Sequence, residues 1–139
     1  MIVFGGVTSE TEQGFGYPQD PILIFNLFTF QYEAQIEWIK DKISPRHSHT
    51  ACFFPPDKII IYGGSIKKDT LHEILILTIK LHPSQTITRK SVKQGSKMKR
   101  KHHFAQVYKN SMFIFGGVEQ EDGEPFNDLW ELDLGILYF

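Results

Sequence analysis

A segment of apolar residues closed by two glycines occurs three times, and no other feature restricts the possible folds as strongly. The copies read MIVFGG at Met1 to Gly6, KIIIYGG at Lys58 to Gly64 and SMFIFGG at Ser111 to Gly117, with glycine pairs 58 and 53 residues apart. A period of this length is filled by four strands of about 5 to 6 residues plus their turns, as in propeller blades. Helical repeats fit poorly, because the apolar runs are short, β-branched or aromatic, and divided by turn residues. One glycine pair would read as a hairpin turn. Three, each after a matching strand, mark places where neighbouring units crowd the backbone and where positive φ is needed.

Between the glycine pairs the expected strands are the run Ile22 to Phe30, then Gln35 to Lys40 around Trp38. A full unit follows, with His49 to Phe54, a turn at Pro55-Pro56-Asp57, Ile59 to Tyr62, Leu71 to Ile79 and Gln85 to Val92. A third contains His103 to Tyr108, a turn at Lys109-Asn110-Ser111, Met112 to Phe115 and Leu129 to Leu134. The expected division is residues 1–43 as the end of a first blade, 44–95 as a complete second blade and 96–139 as an incomplete third.

These elements resemble the kelch repeat, whose units carry an Arg-x-x-His element, an apolar strand ending in Gly-Gly, an acidic residue before an aromatic strand, and a later Trp. Arg46 and His49 in Pro45-Arg46-His47-Ser48-His49-Thr50-Ala51 match the first element, and Gly63-Gly64 begins fourteen residues beyond His49. Arg100 and His103 repeat it, with Gly116-Gly117 beginning thirteen beyond His103. Asn127-Asp128-Leu129-Trp130-Glu131-Leu132-Asp133 is similar to the family's acidic-aromatic strand, so Asp128 and Trp130 join Gly5, Gly6 and the other glycines as structural repeat residues. Trp38 stands where the family places the tryptophan of an outermost strand. The middle unit departs, because His72-Glu73-Ile74-Leu75 replaces the acidic-aromatic step, and a looser blade is expected there. The first unit has Pro21-Ile22-Leu23-Ile24-Phe25 instead.

The resemblance implies an all-β fold, a partial kelch-type β-propeller of four-stranded antiparallel blades, about two and a half to three of them. That is fewer than the four to eight of closed rings. An isolated set would expose blade faces and a strand edge. The expectation is a piece of a longer propeller, a truncated product, or a subunit completed by self-association, further blades or a partner.

Charge is segregated. Arg89 to Lys101 holds seven basic residues and no acid, while Glu119 to Asp133 holds seven acids and no Lys or Arg. Such runs usually mark solvated loops. No aromatic residue lies between Ile87 and His102, which argues against nucleic-acid stacking. Glu119, Glu121, Asp122 and Glu124 form the candidate partner-binding loop, where a basic protein would be steered.

The sequence supplies no catalytic constellation, metal set or cofactor motif. His47 and His49 alternate as on a strand, yet His49 and His103 occupy structural positions and no Cys or carboxylate cluster accompanies them. Cys52 reads as a small buried hydrophobe. No apolar run reaches the roughly 20 residues of a membrane span. The lone cysteine and the lack of an export signal point to a reducing, cytoplasmic setting. The expected function is a protein-interaction module, a scaffold or adaptor fragment. The alternatives are a propeller enzyme or sugar-processing protein of the kelch-like group, and a self-assembling partial propeller.

Overall fold

A computed structural model describes residues 1–11, 14–32, 37–38, 43–81, 86–93 and 98–135. The strands in chain order are β1 (Ile2–Phe4), β2 (Ser9–Thr11), β3 (Gly14–Gly16), β4 (Ile22–Asn26), β5 (Gln31–Tyr32), β6 (Glu37–Trp38), β7 (Thr50–Phe54) and β8 (Lys58–Tyr62). They continue with β9 (Ser65–Ile66), β10 (Asp69–Thr70), β11 (Glu73–Lys80), β12 (Thr86–Lys93), β13 (Phe104–Tyr108), β14 (Ser111–Phe115) and β15 (Leu129–Asp133). Among the described residues there is no α-helix, and no helix long and apolar enough to cross a membrane.

Three principal sheets follow the repeat. Their orders are β1-β4-β5, then β6-β12-β11-β8-β7, then β13-β14-β15, and every pair is antiparallel except β6 with β12. The small hairpins β2-β3 and β9-β10 occupy loops after the first two glycine pairs. The chain is thus an all-β partial kelch-type propeller. Register makes the units equivalent: Phe4 pairs with Ile22, Tyr62 with Ile74 and Phe115 with Leu129.

The unbroken apolar runs of β8 and β11 have a packing cause. Side chains alternate across a strand, and both faces of this middle sheet are covered. Ile60, Tyr62, Ile74 and Ile76 pack with Ala105, Met112 and Ile114 of the third unit, whereas Ile61, Leu75 and Leu77 pack with Ile22 and Ile24 of the first. Each fully buried Ile or Leu contributes about 1.5 to 3 kcal/mol. Far from being loose, the second unit is the most complete of the three.

Several expectations shift. The run at Ile22 to Phe30 is not one strand: it pairs only to Asn26, whose side-chain oxygen accepts from the Phe28 and Thr29 amides and turns the chain. The backbone of Trp38 pairs in parallel with Ile87, so it extends the second unit's sheet instead of ending the first's. The flanks of that segment, the expected strand start at Gln85, and the expected boundary between residues 95 and 96 lie outside the described residues. Much of the basic block is strand, since β12 runs through Arg89 to Lys93.

Candidate functional site

The glycine pairs form the seams between units. Gly5, Gly63 and Gly116 have φ of 68°, 61° and 66°, and Gly6, Gly64 and Gly117 have 97°, 85° and 87°, a conformation that L side chains rarely adopt. Space is equally restrictive. A Cβ on Gly5 would strike the Arg46 carbonyl and stand 2.8 Å from His49 Cε1; on Gly63 it would strike the Arg100 carbonyl and stand 3.0 Å from His103 Cε1. In the first two pairs the second glycine donates its N–H across the seam, Gly6 to Arg46 O at 2.8 Å and Gly64 to Arg100 O at 3.0 Å. One unit's glycine pair is therefore the seat of the next unit's Arg-x-x-His element.

The aromatic residue before each glycine pair completes that seat. Phe4 meets the His49 ring edge-on at 5.1 Å, and Tyr62 meets His103 at 5.0 Å. Tyr62 is fully buried while its equivalent Phe115 is 50% exposed. Burial of Tyr62 pushes its phenol up to about 12, and its hydroxyl donates to the Met98 carbonyl. His49 and His103 are held neutral, pushed down to about 4 chiefly by burial and next by Arg46 and Arg100 respectively. His103 Nε2 also lies 2.8 Å from Thr50 Oγ1 across the second seam.

The arginines lock each unit from within. Arg100, fully buried, donates from Nη1 to Gly116 O at 2.9 Å and to Asp128 Oδ1 at 2.8 Å, and from Nη2 to Asp128 Oδ2 at 3.0 Å. Asp128 also accepts from Trp130 Nε1 at 2.6 Å; with Arg100 as the leading cause, its carboxyl is held down at about 2. Arg46 does the same through Gly63 O at 3.3 Å and Glu73 Oε1 at 2.6 Å. Burial works against ionisation of Glu73, but Arg46 and Ser91 together bring its carboxyl below the ordinary range. The middle unit thus keeps the acidic step that its sequence seemed to lack. Glu73 follows Gly64 by nine residues and Asp128 follows Gly117 by eleven, a spacing that could have revealed it.

The loops after the glycine pairs are tied across units. The Lys67 amide donates to the Tyr17 hydroxyl at 2.7 Å, and Thr70 Oγ1 donates to Glu119 O at 2.5 Å. In the acidic loop the Gly123 amide closes a turn on Gln120 O at 3.1 Å, and Glu119, Asp122 and Glu124 are exposed. Glu121 is engaged: its carboxylate accepts from Lys101 Nζ, and its other oxygen lies 3.9 Å from His102 Nε2. The acidic and basic blocks therefore meet through Arg100–Asp128 and Lys101–Glu121, and Arg100 and Lys101 are buried instead of solvated.

His47 and His49 do not alternate on a strand. Ser48 between them has φ of 55°, as does His102 at 57° in the equivalent place, and β7 starts only at Thr50. Cys52 is buried, its Sγ donating to the Ala105 carbonyl at 3.3 Å.

Comparison with known proteins yields a family model described as the KLHDC2/KLHL20/DRC7 Kelch-repeats domain, which matches residues 1–137. No curated protein matches the chain.

Proposed function

Because the chain belongs to the kelch-repeat family, whose domains are in general protein-interaction modules, we propose that it binds a protein partner through the loops that follow its glycine pairs, as a non-catalytic scaffold or adaptor segment of the cytoplasm. The observation that carries this reading is the linkage of those loops. Tyr17 to Lys67 and Thr70 to Glu119 join three successive units into one continuous face. Loops fixed on a rigid scaffold lose less entropy on binding than free ones.

Asp122 and Glu124 project from that face beside the turn at Gly123. Their carboxylates are the part of the candidate partner loop best placed to steer a basic surface. Capture experiments with the tagged chain and its Asp122→Lys/Glu124→Lys variant test the proposal, with Lys80→Glu, an exposed reversal on β11, as the comparison. The loop reversal is expected to remove specific captured proteins that the β11 reversal retains. An identical captured set for all three chains would sink it.

A further inference from the structure

The contact between Lys101 and Glu121 is unequal in a way that points beyond the fold. The Lys101 side chain is 8% exposed and Glu121 is 72% exposed. The cation is fixed by the scaffold, because the Lys101 backbone N–H donates to Val118 O at 2.9 Å and its carbonyl accepts from the Val118 amide at 2.9 Å. His102 is pinned beside it by its amide, which donates to Ser48 O at 3.0 Å. His47 lies close enough for Lys101 and His102 to oppose its charging, after burial, and it stacks on Tyr17 at 6.1 Å. The carboxylate, by contrast, sits on an exposed turn and needs only a side-chain rotation to leave.

We propose that Lys101 and His102 form a carboxylate-binding site, which Glu121 fills in the chain alone and which an acidic side chain of a protein partner fills in the complex. This deepens the interaction reading above and rests on it. Exchanging one carboxylate for another gains nothing, so a displacing partner must gain elsewhere. That gain comes from the groove lined by Lys68, Lys99 and His72 together with Asp69 and Glu119, a cavity of about 330 Å³ whose lining comes within two residues of Lys101 at Lys99 and next to Glu121 at Gln120. An acidic segment with two carboxylates reaches Lys101 with one and the groove cations with the other, whereas Glu121 offers one only. The resident group defines the chemistry as a carboxylate.

The test uses the 139-residue chain and a fluorescent peptide of alternating Glu and Gly, with a Gln-for-Glu peptide as control, read by anisotropy. Glu121→Gln removes the internal competitor, and since exposed ion pairs are worth up to about 1 kcal/mol it should tighten binding of the acidic peptide about fivefold. Adding Lys101→Met should abolish the gain, and the Gln peptide should not bind. If Lys101→Met does not fold by circular dichroism, His102→Gln in the Glu121→Gln background takes its place and should lose part of the gain. Unchanged affinity in Glu121→Gln overturns the proposal, as does stronger competition by a short oligonucleotide than by the peptide. If that affinity is unchanged while Asp122→Lys/Glu124→Lys still removes captured proteins, this site falls and the interaction reading stands.

Discussion

Glu73 accepts a hydrogen bond from Arg46 at 2.6 Å and so holds, in the second unit, the place that Asp128 holds against Arg100 in the third. In each case a buried guanidinium donates through its terminal nitrogens to one backbone carbonyl and one carboxylate while its Nε has no partner among the described residues, and the glycine pair between them sets the backbone that offers the carbonyl. Breaking a buried pair from one side leaves an uncompensated charge.

Asp128→Asn should therefore destabilise the chain by about 2 kcal/mol, less than a fully buried pair because Asp128 is partly solvated. Arg100→Met combined with Asp128→Leu should recover part of that loss. Urea unfolding of the single and double variants measures both; equal loss in each would show that the pair is not the source.

One glycine from each seam separates steric from conformational effects. Gly63→Ala places a methyl against the Arg100 carbonyl at φ of 61° and should cost about 3 kcal/mol, whereas Gly6→Ala, with nothing within 4 Å of its Cβ, should cost about 1 to 2 kcal/mol from φ alone. Melting temperatures rank them. Equal shifts would refute the crowding of the seam.

Acid should weaken the fold in two windows. His49 and His103 have folded values near 4, below the ordinary 6.5, so the unfolded chain takes up protons first. Stability is then intact above about 6.5 and lost as pH falls toward 4, by about 1 to 2 kcal/mol per histidine at pH 5. Asp128, held at about 2 against an ordinary 3.8, contributes stability above 3.8 that disappears as pH falls from 3.8 through 2. Urea midpoints at pH 7.5 and 5 check the first window, and His103→Gln should remove about half of it.

Cys52 is buried and its thiol is pushed up by that burial. Alkylation at pH 8 should be slow in the native chain and rapid in urea, since thiolate and access are both lacking. Rapid native labelling would place Cys52 outside the core.

The repeat itself was legible because glycine pairs and Arg-x-x-His elements are local signatures of backbone geometry. The strand pairing of Trp38 was not, since a two-residue strand carries no periodicity and joins its neighbour's sheet. Glu73 was masked by a loop two residues shorter than its counterpart, so its spacing from the glycine pair only hinted at the equivalence that the register of Tyr62 with Ile74 establishes. In the first unit Pro21 accepts from the Gly5 amide at 2.7 Å, as Glu73 and Asp128 do from Gly63 and Gly116, so its place in the repeat is set by the backbone and not by an acid.

By itself the sequence determined that this chain builds strands in repeating units with glycines where units touch, because positive φ and close approach exclude side chains. Tertiary structure decided which charges are buried and paired. Arg100 and Lys101 lie in a basic run that reads as solvated, and their carboxylate partners stand 28 and 20 residues away. Burial of a cation depends on whether folding delivers a partner to it, a distance that linear spacing does not contain.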